Sequence, residues 1–253
     1  MIRLSLIGNG NLGSNLIRAF CNTPSVDLVE VVDRKATEGP HKLGYTQVND
    51  PQELQKVDLC LLAVPDDMIG PVAGSLPDSI GMVAHCSGAA SLEVLPSDRP
   101  RGVWYPLQSF SQGRQVDLGK VPICIEASSS SGLELLQIVG DAVSSVVRRV
   151  DSNERAELHL AAVWVNNFVN HLYHLASSRL HTKELSLDLL GPLMQETLDK
   201  LQYMSPEEAQ TGPAMRGDFQ TIQKHLSLLG SDPAAEVYQK LTQSIAQLYG
   251  NKL

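Results

Sequence analysis

Short apolar runs alternate with helix-like segments along the first 150 residues of the chain. The run 58–64 is continuously apolar, as is typical of a strand buried on both faces. The other predicted strands are Ile2–Ile7, 28–32, Met82–His85, 123–126 and 146–150. A helix is predicted over residues 12–21, between the first two strands. Such alternation predicts βαβ units and a parallel sheet.

The pattern changes at Asp151, after which we find no segment typical of a strand. Helical periodicity is present in residues 154–179, 218–229 and 234–249. The sequence therefore predicts an α/β fold, a doubly wound and mostly parallel Rossmann sheet in residues 1–150. An all-α domain is predicted to follow in residues 151–253.

A glycine-rich turn joins the first predicted strand to the first helix. Its sequence is Gly8-Asn9-Gly10-Asn11-Leu12-Gly13. Gly8 permits the tight turn, Gly10 lets the backbone approach a pyrophosphate, and Gly13 lets the helix pack close to the strand. The helix N-terminus offers N–H groups and partial positive charge to the phosphates. Because a strand precedes the motif and a helix follows it, we interpret it as a dinucleotide site and not only a tight turn.

The end of the second strand bears on the choice between NAD and NADP. Asp33 can accept hydrogen bonds from the ribose hydroxyls, which favours NAD, whereas the guanidinium of Arg34 can bind a 2′-phosphate, which favours NADP. The two signals conflict, so the predicted cofactor is NADP or NAD.

Two further strand ends are predicted at the carboxyl edge of the sheet, where doubly wound folds bind ligands. Val64 and Pro65 either contact the cofactor or form a plain turn in which Asp66 caps the next helix.

The other strand end, His85-Cys86-Ser87-Gly88, places an imidazole, a hydroxyl and a flexible glycine near a nicotinamide. These groups could orient a carbonyl or relay a proton, and the alternative is a glycine turn. Adjacent side chains on a strand point to opposite faces, so His85 is not expected to activate Cys86.

An Asn/His stripe marks the long predicted helix. At the α-helical spacing its members fall within one arc of about 140°. They are His159, Asn166, Asn167, Asn170, His171 and His174. Such side chains both donate and accept hydrogen bonds, which suits a substrate cleft. The alternative is a polar interface with the sheet domain or a second subunit. No metal site is predicted, because no carboxylate or cysteine on the arc complements His171 and His174.

The loop 212–218 contains Arg216 and Asp218. Arg216 could hold a substrate carboxylate through two hydrogen bonds, or it could pair structurally with Asp218, which is a predicted helix N-cap.

Composition narrows the class of protein. A net charge of -8, without a cluster of lysine and arginine, argues against nucleic-acid binding. No apolar stretch approaches the ~20 residues of a membrane span, and the start lacks the pattern of a signal peptide. The four cysteines are scattered, without metal-site spacing. We therefore expect a reduced, cytoplasmic protein.

The whole pattern resembles a family of Rossmann-like proteins with a helical C-terminal domain of unknown function, commonly labelled NADP oxidoreductases. The resemblance covers essentially the whole chain and rests on the segments GNGNLG, AVPDD, HCSGAASLEVL, YPLQSFS, LHLAAVWVNNF and TGPAMRGDFQTIQKHL. The wider superfamily contains pyrroline-5-carboxylate reductase, ketopantoate reductase and 6-phosphogluconate dehydrogenase-like enzymes.

The resemblance implies a homodimer formed through the helices and a cleft between the domains. The implied cleft residues are His85, Ser87, Tyr105, Gln108, His159, Asn167, Arg216 and Asp218. Two departures stand out: the acidic Asp33 replaces a Ser or Thr, and Tyr105 replaces the histidine of an HPLQ motif. The catalytic lysine of the dehydrogenase relatives has no counterpart in the long helix.

The leading hypothesis is an NAD(P)-dependent oxidoreductase acting on a small polar substrate, such as a keto or imino acid. Asn167, with Ser87 or His159, would hydrogen-bond the reacting atom, and Arg216 would hold a carboxylate. The alternative is a non-catalytic NAD(P)-binding sensor, because a fold does not fix a function.

Overall fold

A computed structural model describes residues 1–250. The chain forms two compact units, Met1–Asn167 and Phe168–Leu253. The sheet ends at Arg149, close to the predicted boundary at residue 150, and the helix that follows the sheet belongs to the first unit.

A single nine-stranded sheet forms the first unit. Its strands are β1 (Ile2–Ile7), β2 (Val26–Val32), β3 (Gly39–Pro40), β4 (Thr46–Val48), β5 (Leu59–Leu62), β6 (Met82–His85), β7 (Arg101–Pro106), β8 (Ile123–Ala127) and β9 (Val147–Arg149). Their order is β3-β4-β2-β1-β5-β6-β7-β8-β9, and the six strands from β4 to β7 in that order pair in parallel. The predicted Rossmann-type, mostly parallel sheet is confirmed. Strands β3, β4 and β7 were not predicted, since each is short or interrupted by Gly or Pro.

Apolar side chains fill both faces of this sheet. On β5, Leu61 belongs to one buried cluster, whereas Cys60 and Leu62 belong to another. On β7, Trp104 faces the first cluster and Tyr105 faces the second. This alternation follows from the two-residue repeat of a strand, and it explains why the central strands are apolar throughout.

Three helices connect the strands, and a fourth follows the sheet: α1 (Asn11–Cys21), α2 (Asp66–Gly74), α3 (Ser130–Asp141) and α4 (Ser152–Ala162). Asp151 caps α4 through a capping box with Glu154, as the predicted helix start requires. A π-helical segment, Val163–Phe168, continues α4 across the limit of the first unit.

The second unit is helical, and its described residues contain no strand. Its helices are α5 (Val169–His181), α6 (Gly191–Lys200), α7 (Pro206–Ala209), α8 (Pro213–Arg216), α9 (Phe219–Leu229) and α10 (Ala234–Leu248). Ser205 caps α7, and Asp218 caps α9 as predicted. Within residues 1–250, no helix has the length and hydrophobicity needed to cross a bilayer.

Candidate cofactor and substrate sites

The glycine turn has the tight geometry that its sequence predicts. Gly8 has φ 104°, a left-handed conformation that side chains disfavour, and a Cβ there would overlap the carbonyl oxygen of Ala63. A Cβ on Gly13 would overlap the carbonyl oxygen of Gly8. Both glycines therefore hold the start of α1 directly against the ends of β1 and β5.

Gly10 differs from these two glycines, because a Cβ there would meet no described atom within 4 Å. Gly10 is also the N-cap residue of α1, and no side chain of the described part of the chain caps this helix. The first N–H groups of α1 therefore face open space, as phosphate binding at a helix N-terminus requires. The turn fits the pyrophosphate of a dinucleotide.

A cavity of about 560 Å³ extends from this turn along the carboxyl ends of β2 and β5. Of the predicted cofactor residues, it is lined by Gly8, Asn9, Gly10, Asp33, Arg34, Val64 and Pro65. Asn11, Leu12 and Gly13 form the first turn of α1 beside it. The alternative interpretation of Asp66 as a helix cap is wrong, because Asp66 is already helical and its side chain caps no backbone N–H.

Asp33 lines the cavity at the carboxyl end of β2, and two hydrogen bonds fix its side chain. Its carboxylate accepts hydrogen bonds from the Asn9 side-chain amide at 3.1 Å and the Lys35 backbone N–H at 3.0 Å. Arg34 and Lys35 line the same cavity. A carboxylate and two cations therefore lie together, and both NAD and NADP stay open.

A second cavity of the first unit, of about 460 Å³, brings together four predicted residues. Tyr105, Gln108, His159 and Asn167 all line it. The Tyr105 hydroxyl lies 3.3 Å from Nδ1 of His159, and the tyrosine is only 8% exposed. Burial raises the pKa of Tyr105, so the phenol is protonated at neutral pH.

The two cavities share one edge of the sheet. Tyr105 lies near the end of β7, which runs parallel to β6 and therefore ends on the same side as β1 and β5. The loop after β7 is attached to the glycine turn, because Asn11 donates a side-chain hydrogen bond to the Phe110 carbonyl at 3.3 Å. Ligands of open α/β sheets bind at this edge.

His85 is fully buried, and both of its ring nitrogens have partners. Nδ1 accepts a hydrogen bond from the Ser87 N–H at 3.2 Å, and Nε2 lies 3.3 Å from the Ser91 carbonyl. Burial, reinforced by the positive charge of Arg155, lowers the pKa of His85 to about 4. This buried imidazole, with two backbone partners, holds the loop after β6 and lines neither of the two cavities described above.

We expect His85 to make the protein less stable in mild acid. Its pKa is lower in the folded state than the ordinary value of 6.5, so the unfolded chain binds a proton first as the pH falls. Stability is then lost between pH 6.5 and about 4, by at most about 3 kcal/mol. Urea denaturation across this range should show the loss. His85→Gln should reduce the pH dependence of the free energy of unfolding in this range. The control His181→Gln, at an exposed position, should not. An unchanged slope in His85→Gln would contradict the assignment.

Ser87 and Gly88 lie on this loop, next to the second cavity. The Ser87 hydroxyl oxygen accepts hydrogen bonds from the Ala89 and Ala90 N–H groups at 3.1 and 2.9 Å. Gly88 is buried, and a Cβ there would lie 2.5 Å from His159 Nδ1 and 2.7 Å from Tyr105 Cζ. Because Gly88 has no side chain, the rings of Tyr105 and His159 have enough space to contact each other.

A buried ion pair that the sequence did not reveal fixes α4 against the sheet. Arg155 is 1% exposed and lies 2.5 Å from a carboxylate oxygen of Glu126 on β8. Arg155 also donates to the Ala90 carbonyl at 2.7 Å, and Ser152 donates to Glu126 at 2.8 Å. In the sequence, the only indication of this ion pair is a glutamate, Glu126, at the end of an apolar strand. The sequence does not indicate that its partner is Arg155.

The π-helical segment changes the predicted Asn/His stripe. A π turn contains more residues than an α turn, so the 100° spacing used for the arc does not hold across Asn166 and Asn167. His159, Asn166 and Asn167 line the second cavity, whereas Asn170, His171 and His174 belong to the second unit. The rings of His171 and His174 stack with centroids 6.1 Å apart, and the described residues contain no cluster able to hold a metal ion.

Arg216 and Asp218 lie in the second unit. Asp218 caps α9 by accepting hydrogen bonds from the backbone N–H and the hydroxyl of Thr221, at 3.1 and 2.8 Å. These bonds lower the pKa of Asp218. Arg216 is exposed at the end of α8, and its positive charge also contributes to the lowered pKa of Asp218.

Comparisons with known proteins place the chain in a family. Residues 121–245 match the model of a domain of unknown function, DUF2520. A Bacteroides fragilis protein described as a "putative NADP oxidoreductase" is 31% identical, with a TM-score of 0.84, covering 97% of this chain and 98% of that one. No curated protein matches.

More distant solved structures share the fold. A Thermotoga maritima protein is 22% identical, with a TM-score of 0.73 and 98% of both chains covered. The 1-pyrroline-5-carboxylate reductase of Streptococcus pyogenes is 13% identical, with a TM-score of 0.63, covering 97% of this chain and 98% of that one. The chain thus belongs to the same family of Rossmann-fold proteins as the Bacteroides fragilis protein, and its residues 121–245 match the DUF2520 model.

Proposed function

We propose that the protein is an NAD(P)-dependent oxidoreductase. The observation that carries this proposal is the uncapped N-terminus of α1, which opens at Gly10 into a cavity ending at Asp33 and Arg34. The description of the Bacteroides fragilis relative supports it. When bound, a reduced nicotinamide supplies a hydride to the substrate.

The residues around the first cavity would hold the dinucleotide. Backbone N–H groups of Asn11 and Leu12 would bind the pyrophosphate, and Asp33 and Arg34 would contact the adenosine ribose or its 2′-phosphate. Val64 and Pro65 would pack along the cofactor where β5 ends, and Ser87 and Gly88 would lie towards the nicotinamide.

The second cavity would hold a small polar substrate with a carbonyl or imine group, such as a keto or imino acid. His159 and Asn167, with Ser87 nearby, would hydrogen-bond the reacting atom, and Gln108 would help to orient the substrate. Within the second unit, Arg216 would bind a carboxylate group of a ligand, and Asp218 would hold the loop that carries Arg216. His85 would act as a positioning residue for the Ser87 loop.

A non-catalytic NAD(P)-binding sensor is the second candidate. It is favoured by the absence of lysine from residues 152–181, because the resemblance to dehydrogenases implies a catalytic lysine in this helix. A sensor would keep its cofactor affinity after substitution of His159 or Asn167 and would show no turnover.

The function is tested by titration with NADPH and NADH, followed by a screen of cofactor oxidation with 2-keto acids, cyclic imines, aldehydes and ketones. We expect saturable binding and oxidation dependent on one of these carbonyl or imine classes. Binding without turnover of any compound would favour the sensor, and binding of neither cofactor would contradict both candidates.

We propose a homodimer formed through the second unit. Helices α5 and α6 contain no buried residue, and the large apolar side chains Leu189 and Leu193 are 67% and 64% exposed. A second copy covering them would bury this surface. We also propose a cytoplasmic location, because Cys60, Cys86 and Cys124 are buried as free thiols.

Replacing Leu189 and Leu193 with aspartate should convert the dimer to a monomer, because two charges would be buried at the interface. Sedimentation velocity measures this change. Leu43→Asp, at an exposed apolar position of the first unit, is the matched control and should remain dimeric. A monomeric wild-type protein would contradict the proposal.

A further inference from the structure

We propose that Tyr105 is the proton donor of the reaction and that His159 returns a proton to it. This inference rests on the proposed oxidoreductase function and adds a catalytic residue to it. It also limits the substrate to small compounds. Such a compound must have a carbonyl or imine group that can reach the phenol of Tyr105.

The position of Tyr105 suits this role better than that of any other acid lining the second cavity. The tyrosine lies near the carboxyl end of β7, at the sheet edge shared by the glycine turn, and it lines the cavity beside Asn167. Of the twelve described residues that line this cavity, none is a lysine, arginine, aspartate or glutamate. Tyr105 and His159 are the lining residues able to donate a proton as acids.

The contact between the two side chains supplies the chemistry. The Tyr105 oxygen lies 3.3 Å from Nδ1 of His159, and desolvation keeps the phenol protonated at neutral pH. Cys124 on β8 and Arg155 on α4 are the other ionisable groups that act on the phenol. His159 is only half-buried, so its imidazole can exchange protons with water.

The step balances for reduction of a carbonyl group. As a hydride from the reduced nicotinamide bonds to the carbonyl carbon, the π electron pair moves to the oxygen. That oxygen takes the phenolic proton of Tyr105, whose O–H electron pair stays on the phenolate. His159 then donates a proton from Nδ1 to the phenolate, and its Nε2 takes a proton from water. The products are an alcohol, or an amine from an imine, and the oxidised cofactor.

Neighbouring residues hold the side chains of Tyr105 and His159 in contact. Gly88 packs against both rings, and a Cβ there would lie 2.9 Å from the Tyr105 oxygen. On α4, Arg155 lies one turn before His159 and is fixed by Glu126 and the Ala90 carbonyl. The loop at Gly88 therefore packs against both members of the pair, β7 carries Tyr105, and the anchored helix α4 carries His159.

The test compares Tyr105→Phe with Tyr203→Phe in the full-length protein. Tyr203 is 84% exposed in the second unit and serves as the matched control. Oxidation of NADPH and of NADH is measured with a fixed panel of pyruvate, 2-oxoglutarate, 1-pyrroline-5-carboxylate, benzaldehyde and cyclohexanone. We expect Tyr105→Phe to lose about 10²–10⁴-fold in kcat, the usual contribution of a general acid. Tyr203→Phe should lose nothing, and both variants should keep the wild-type affinity for NADPH.

A readout independent of turnover is the ultraviolet absorbance of tyrosinate during a pH titration of the free protein. The titration curve of Tyr105→Phe, subtracted from that of the wild-type protein, gives the absorbance change that belongs to Tyr105. His159→Leu should raise the pKa of Tyr105 further, because no imidazole N–H stabilises the phenolate, whereas Tyr203→Phe should leave that step in place.

The outcomes separate this inference from the function on which it rests. Absence of wild-type turnover on the whole panel would overturn the proposed reduction and the inference with it. Wild-type turnover that persists in Tyr105→Phe would overturn only the assignment of Tyr105. A Tyr105 titration unaffected by His159→Leu would overturn the role of His159. Loss of turnover with an unchanged NADPH affinity supports the proposal.

Discussion

Replacing Gly13 with alanine should weaken both the folded state and the binding of NADPH and NADH. The added Cβ would overlap the carbonyl oxygen of Gly8, a backbone atom that cannot rotate aside. Helix α1 would have to withdraw from the turn, at a cost of about 1–3 kcal/mol in the free energy of unfolding. Its N–H groups would move with it. Urea denaturation and calorimetric titration with each dinucleotide measure the two losses.

Gly10→Ala separates the two effects. Its Cβ would meet no described atom within 4 Å, so the free energy of unfolding should stay near the wild-type value. The methyl group would occupy the space that we assign to the pyrophosphate, and affinity should fall at least about tenfold, or 1.4 kcal/mol. Gly74→Ala, at an exposed and equally open position at the end of α2, should leave the affinity unchanged and should not lower the free energy of unfolding, because alanine favours a helix. Full affinity in Gly10→Ala would contradict the assigned site.

Replacing Arg155 with leucine should cost about 3 kcal/mol of stability, within the range for breaking a buried ion pair. The substitution would leave Glu126 without its cation and the Ala90 carbonyl without its donor. It would also release the loop that carries Gly88. Urea denaturation, followed by tryptophan fluorescence of the buried Trp104, measures the loss.

Two comparisons test the origin of this effect. Lys200→Ala removes a solvent-exposed pair with Glu196 on α6 and should cost less than about 1 kcal/mol. The double substitution Arg155→Leu with Glu126→Leu removes both charges and should recover much of the stability lost in Arg155→Leu. If Arg155→Leu and Lys200→Ala cost the same, the buried ion pair does not fix α4.

The geometry of the candidate cofactor site could be predicted from the sequence because its parts are local. The strand, the glycine turn and the helix are contiguous, and each glycine has a separate steric reason that follows from its place in the motif. Asp33 follows at the end of the next strand, so its position required only the pairing of β1 with β2.

The substrate cavity was less predictable because its parts are distant along the chain. Tyr105 and His159 meet across 54 positions, and Arg155 meets Glu126 across 29. The composition of residues 105–111 gave no reason to distinguish that loop from a connector. The π-helical segment could not be predicted from an analysis that assumes 100° per residue. That assumption placed Asn170, His171 and His174 on the same arc as His159.

Calorimetric titration of the wild-type protein with NADPH and with NADH tests the central claim, that the cavity at Gly10 binds a dinucleotide. We predict one site per chain, with micromolar or tighter affinity for at least one of the two, and a marked loss in Gly10→Ala. Binding of neither dinucleotide by a correctly folded wild-type protein would contradict the claim.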